Sequence, residues 1–312
     1  GGQPAPAGKW PDTAAVMDDQ YAFCTGTLIA PQVVLTAGHC VDGITPTRVK
    51  LNATDSEGPG EVIPVVSATA YPNWEDTYDV AVLLLERPSA VAPRAVATDC
   101  VVQASLVDGA PVTLVGYGAT DQQGQSYNTT LMEGAAQIED ADCATGNGCA
   151  PAVSPGGEFV AGGNADSCFG DSGGPVYLST PYGTVLAGVV SRGLNNSPAP
   201  CGYGGIYVRP DAVLDWIEAT AGTAITRATC QTPDPDPDPD GGDGGEGDDV
   251  DEGDGSGDGE GDGSGAGDGS GGGAAGSQAP VIGGCSAAGG AGTSSALLLL
   301  LALALLARRR TA

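Results

Sequence analysis

The sequence predicts an all-β domain over residues 1–230, followed by two segments of different character. Three observations carry this. Short runs rich in β-branched residues alternate with Gly, Pro, Asn and Asp clusters, at strand length rather than helix length. Only one segment before residue 230 has helical periodicity. The composition then changes abruptly after Cys230.

In order, the strand-like runs include Thr27–Ile29, Val33–Thr36, Arg48–Asn52, Glu61–Tyr71, Val80–Leu85, Pro111–Gly116, Gly183–Ser191 and Gly205–Arg209. The helix opens at Pro210 and Asp211 and runs to about Ala221. Proline and acidic residues suit a helix start, and Val213, Leu214, Trp216 and Ile217 supply an apolar face. Residues 231–282 are Gly, Asp, Pro, Ser and Glu, with almost nothing to bury, and are expected to form a disordered acidic linker. Within it, Asp234–Gly241 has the look of an Asp-x-Asp-x-Asp-Gly calcium loop. Its alternating prolines and the missing downstream glutamate speak for a stiff spacer instead. No cofactor is expected, with calcium at this run the alternative. Residues 283–312 are small and apolar, with a leucine-rich stretch at 297–307, and then Arg308-Arg309-Arg310.

The net charge is −28. Such an acidic chain does not suit nucleic acid, whose phosphates need a basic face. It suits a soluble monomer. Nine cysteines indicate an oxidising compartment, and eight of them lie within 1–230. With no C-x-x-C pair and a single histidine, no metal site is expected.

That histidine is His39, in Thr36-Ala37-Gly38-His39-Cys40. Residues 168–175 read Cys-Phe-Gly-Asp-Ser-Gly-Gly-Pro. A serine hydroxyl is a poor nucleophile near neutral pH and needs a base and a place for the oxyanion. Gly170–Gly174 also fits the G-x-S-x-G elbow of α/β-hydrolases, but those need a histidine after the serine and none follows Ser172. A subtilisin-type order needs the aspartate before the histidine. The best aspartate, Asp79 in Asp-Val-Ala-Val-Leu-Leu-Leu, follows His39. The remaining order is His, Asp, Ser.

With Val115-Gly116-Tyr117-Gly118 between the second and third of these segments, residues 1–230 resemble the trypsin-like, chymotrypsin-fold serine peptidases. The resemblance implies two Greek-key six-stranded β-barrels, split near residue 105, with the C-terminal helix packed after them. It implies His39 as general base and then acid, Asp79 as its orienting partner and Ser172 as nucleophile. The N–H groups of Gly170 and Ser172 would form the oxyanion hole. Asp166, six residues before Ser172, would be the floor of a pocket for Arg or Lys, with Ser191, Gly193 and Gly205 around it. Where the family has an aromatic residue after the Ser191 position, this chain has Arg192. That arginine either acts on substrate charge or pairs with a nearby acid. For the disulfides, the resemblance implies Cys24–Cys40 and Cys168–Cys201. Cys143 with Cys149 would close a local loop where the family's partner position, near Val160, is not cysteine, leaving Cys100 with Cys230.

The family's mature domain opens on two aliphatic residues and Gly-Gly, so Gly1-Gly2 resembles the second half of that tetrapeptide. An export signal and an activation peptide are then expected upstream, and a freed α-amino group is expected to pair with Asp171. Gly283-Gly284-Cys285, the apolar stretch and the arginines resemble the C-terminal sorting tails known from myxobacteria. The resemblance implies processing or lipid attachment at Cys285 by a sorting protease, with membrane contact through the tail before processing; a permanent anchor is the alternative. The whole reading is an exported endopeptidase acting on protein or peptide substrates, at the cell surface or released from it.

Overall fold

The computed structural model describes residues 2–144 and 147–230. The expected linker, the expected sorting tail with Cys285, and the Asp234–Gly241 run lie outside the described residues. Among the described residues no helix is long and apolar enough to cross a membrane.

The first barrel is built from β2 (Thr13–Met17), β3 (Ala22–Ala30), β4 (Val33–Thr36), β5 (Arg48–Leu51), β6 (Glu61–Ala70) and β7 (Ala81–Leu85). Its closed order is β2-β3-β4-β7-β6-β5, antiparallel throughout. Strands β2, β3 and β4 follow one another and β5 returns beside β2, which is a Greek key. Val16, Leu28, Val34, Val49, Ile63 and Leu83 fill the interior. Each such side chain contributes about 1.5–3 kcal/mol on leaving water.

The second barrel repeats the plan with β8 (Pro111–Gly116), β9 (Met132–Asp140), β10 (Glu158–Gly162), β11 (Pro175–Thr180), β12 (Gly183–Gly193) and β13 (Gly205–Val208). The order β9-β10-β13-β12-β11-β8 closes through β8 on β9, and β1 (Gln3–Pro4) pairs with Met132 and Glu133 at the start of β9, where β10 does not reach. Phe159 and Tyr207 stack at 5.4 Å in its core, among Leu114, Ile138, Val176 and Leu178. The two barrels and a C-terminal helix make the chymotrypsin fold.

The helical segment starts as a 3-10 turn at Pro210–Val213 and becomes α2 (Leu214–Ala221). It ends at Gly222, whose φ of 65° is the left-handed cap that glycine favours. Leu214 and Ile217 pack with Ile29, Val82, Val189 and Val208, so α2 covers the joint between the barrels. A second helix, α1 (Asp99–Ser105), corrects the expectation of a single one. Its seven residues are too few to display a helical period. Burial of Val101 and Val102 and the Cys100–Cys230 bond hold it in place.

Candidate active site

His39 lies in the 3-10 turn Gly38–Val41 directly after β4, and the Cys24–Cys40 bond ties that turn to β3. Asp79 precedes β7. Pairing of β4 with β7, Thr36 opposite Ala81, therefore carries the two side chains to the same end of the barrel. The His39 backbone N–H donates to Asp79 Oδ1 at 2.9 Å, and the ring Nδ1 meets Oδ2 at 2.8 Å. The Ser191 hydroxyl donates to the same Oδ2 at 2.7 Å. An ionised carboxylate only accepts, so Nδ1 carries the ring hydrogen and Nε2 keeps its lone pair. Burial alone would raise the Asp79 carboxyl. The hydrogen bonds and charge from His39, with the Ser191 hydroxyl, outweigh it and hold the group below the usual carboxylate range.

Ser172 lies on the turn between β10 and β11 of the second barrel. That turn is pinned to the first barrel at Thr25, whose N–H donates to Ser172 O at 2.8 Å and whose hydroxyl donates to Gly170 O at 2.8 Å. Gly173 has φ +79°, and a Cβ there would overlap the Thr36 hydroxyl, so no other residue allows this approach. The N–H groups of Gly170 and Ser172 have no partner among the described residues. His39, Asp79, Ser172 and Ser191 line one cleft of about 950 Å³. The Ser172 hydroxyl makes no hydrogen bond to the His39 ring in this state.

Asp171 turns away from the cleft. Its Oδ1 accepts from Gly118 N and its Oδ2 from Cys168 N, each at 2.8 Å. A Cβ on Gly116 or Gly118 would collide with this carboxylate. The surface it keeps faces a second cavity of about 170 Å³, lined also by Gly2, Gly116 and Gly118. Burial pushes the Asp171 carboxyl up from 3.8 to about 6, against the pull of those two N–H groups. Asp166 lines the same cavity and not the cleft. Its Oδ2 accepts from the N–H groups of Gly202 (2.7 Å), Tyr203 (3.1 Å) and Gly204 (3.2 Å). Of the other expected pocket residues, Ser191 and Gly193 stand on the cleft wall and Gly205 does not.

The trypsin family model matches residues 1–217. The chain belongs to the trypsin family. Brachyurin of Leptuca pugilator is 31% identical over 237 residues, covering 71% of this chain and 98% of its own. Trypsin of Saccharopolyspora erythraea is 32% identical over 225 residues, covering 69% and 94%. Among solved structures, the secreted serine protease VesC from Vibrio cholerae superposes with a TM-score of 0.57 at 27% identity, over 70% of this chain and 48% of that one. This trypsin-family protein is a serine endopeptidase acting on protein or peptide substrates.

Four disulfides join Cys24 to Cys40, Cys100 to Cys230, Cys143 to Cys149 and Cys168 to Cys201. Among the described residues two groupings have metal-like proximity, Cys24–His39–Cys40 and Cys143–Cys149–Glu158, and in each both sulfurs are bonded to one another. Arg192 does not extend over the cleft as a free cation. On the cleft wall it pairs with the buried acid Glu158, Nη1 to Oε1 at 2.7 Å and Nη2 to Oε2 at 3.0 Å. Glu158 was not legible as part of the site, being one acid at the start of a strand. Nor was the cleft rim, where Tyr21, Ile44, Tyr127 and Phe169 stand exposed.

Proposed function

We propose that this endopeptidase cleaves after Arg or Lys, with His39, Asp79 and Ser172 as its catalytic group. The observation that carries the catalytic part is the doubly hydrogen-bonded His39–Asp79 pair sharing one cleft with Ser172. Ser172 Oγ attacks the carbonyl carbon as its proton passes to His39 Nε2. The oxyanion is received by the free N–H groups of Gly170 and Ser172. The C–N bond then breaks, and His39 returns the proton to the leaving amine. Water repeats the cycle on the acyl-enzyme, with the proton again held at His39. Asp79 keeps the tautomer and stabilises the imidazolium. The Ser172–His39 contact tightens as substrate enters, as such contacts do in this chemistry.

The preference for a cation rests on Asp166. Ser167 and Val190 line both the cleft and the cavity behind it, so the carboxylate stands one side chain behind the cleft wall. Gly193 leaves the path open, since a Cβ there would meet only Pro200 O at 3.3 Å. A long basic side chain would exchange part of the 202–204 N–H shell for a charge-assisted bond. Asp171 is proposed as the partner of a freed α-amino group, which its burial without a side-chain cation and the adjoining cavity support. Export is supported by the four disulfides and by the description of VesC as secreted. Display through the sorting tail is proposed from the sequence of residues 283–312 alone.

Peptide substrates differing only before the scissile bond test the specificity. Arg and Lys peptides should exceed Phe and Ala peptides in kcat/KM by about 10²-fold or more, since an unpaired buried charge is costly. Asp166→Ser should collapse that ratio. A wild-type preference for Phe or Leu would refute the assignment of Asp166.

A further inference from the structure

A guanidinium stands where the family's wall is aromatic, and it is heavily engaged. Arg192 Nη1 donates to Glu158 Oε1 at 2.7 Å and also to the Ser191 hydroxyl at 3.0 Å. Its Nη2 donates to Glu158 Oε2 at 3.0 Å and to Gly148 O at 3.0 Å. Glu158 is fully buried, and its Oε2 also accepts from Ala150 N at 2.7 Å. The 148–150 segment is closed by the Cys143–Cys149 bond. Strands β10 and β12 and a cross-linked loop therefore hold the guanidinium in one orientation.

The consequence falls on Ser191. A hydroxyl has one hydrogen and two lone pairs, whereas a guanidinium only donates. The Arg192 hydrogen takes a lone pair of Ser191 Oγ, and the Ser191 hydrogen is left to point at Asp79 Oδ2, 2.7 Å away. Asp79 Oδ2 is the same oxygen that meets His39 Nδ1. A continuous chain of hydrogen bonds thus links Glu158, Arg192, Ser191, Asp79 and His39: Arg192 donates both to Glu158 and to Ser191, and Ser191 and His39 both donate to Asp79 Oδ2.

From this we infer that the Glu158–Arg192 pair is a positioning device for the His39–Asp79 couple, acting through the direction of the Ser191 hydroxyl. The inference rests on the catalytic roles proposed above. Arg192 and Glu158 are positioning residues, since they act on the couple through Ser191. The pair is electrically neutral as a unit, so it orients Ser191 without adding net charge beside the catalytic group.

The test is the rate at which a small organophosphorus fluoride labels the full chain. In that reaction Ser172 Oγ bonds to phosphorus, fluoride leaves and the serine proton goes to His39. So small a reagent reports nucleophile activation apart from peptide binding along the cleft wall. Replacing the pair by apolar residues of similar length, Arg192→Met with Glu158→Met, should slow labelling about tenfold with the melting temperature preserved, since a hydrogen bond to a charged acceptor carries about that much. In a Ser191→Ala background the same double replacement should change the rate less than about twofold, because the route is already cut. Arg192→Lys leaves Glu158 a cation and keeps one donor, and should label at a rate between the extremes. Equal losses with and without the Ser191 hydroxyl would overturn the inference, as would wild-type labelling in the paired replacement. If the paired replacement does not fold, the Arg192→Lys comparison in the two backgrounds decides in the same way. Failure of the wild type to be labelled at Ser172 would instead refute the catalytic reading on which the inference stands.

Discussion

Asp171 presents the sharpest electrostatic question at the scale of single residues. Its carboxyl is pushed to about 6 by burial, and its partners among the described side chains include no cation. A folded-state value above the ordinary 3.8 means that the folded protein holds this proton more tightly than the unfolded chain does. The group's contribution to stability is therefore fully present below about pH 4 and is lost as pH rises through about 6. Melting curves across pH 4–6.5 should show that decline, and Asp171→Asn should flatten it. A freed α-amino group extending two aliphatic residues beyond Gly1 should also abolish the decline, by pairing with the carboxylate, and should raise peptide turnover. A decline that persists unchanged in Asp171→Asn would assign it to another group.

At the scale of elements, the two barrels must keep a fixed relation for the proposed chemistry, because His39 and Asp79 come from one and Ser172 from the other. A buried cluster supplies part of that constraint. Arg94 grips Asp12 with two hydrogen bonds, Nε to Oδ2 at 2.9 Å and Nη2 to Oδ1 at 2.6 Å. From the second barrel, Tyr177 donates to Asp12 Oδ2 at 2.6 Å and stacks on Trp10 at 4.4 Å, while Arg94 also donates to Thr184 O at 3.2 Å. Arg94→Met leaves the Asp12 carboxylate buried without its cation, and should cost about 3–5 kcal/mol in denaturant unfolding. A cost below about 1 kcal/mol, the range of an exposed pair, would show that the cluster does not hold the barrels.

The same scale explains what the sequence disclosed. Val33–Thr36 reads as a strand because four consecutive buried positions are filled by Val, Val, Leu and Thr. Strand β9 is opaque: its Gly134, Ala135, Ala136 and Gln137 have poor β propensity, and pairing with β8 and β10 places them. The order of His39, Asp79 and Ser172 was legible because the sequence has a single histidine, which precedes both other residues and so leaves one of the known chain orders. The Arg192–Glu158 pair was not, since β10 and β12 are brought near one another by pairing on the two sides of β13, a strand that follows both in the sequence. The turning of Asp166 toward the 202–204 segment was hidden for a like reason, being a matter of loop path rather than of spacing.

At the scale of the whole molecule, residues 2–230 contain both barrels, the disulfides Cys24–Cys40, Cys100–Cys230, Cys143–Cys149 and Cys168–Cys201, and a cleft that holds His39, Asp79 and Ser172. A chain ending at Cys230 should therefore turn over peptides at close to the full-length rate, and under the proposed sorting role it should not be displayed at the cell surface. Unchanged surface display after deletion of 283–312 would refute the sorting role. The central claim, that Ser172, His39 and Asp79 act as one unit, is tested most directly by kcat/KM for an Arg peptide in Ser172→Ala, His39→Ala and the double variant. Each single replacement should lose about 10⁵–10⁶-fold, and the double should lose little more than either. Near-wild-type turnover in Ser172→Ala, or losses that multiply in the double, would contradict it.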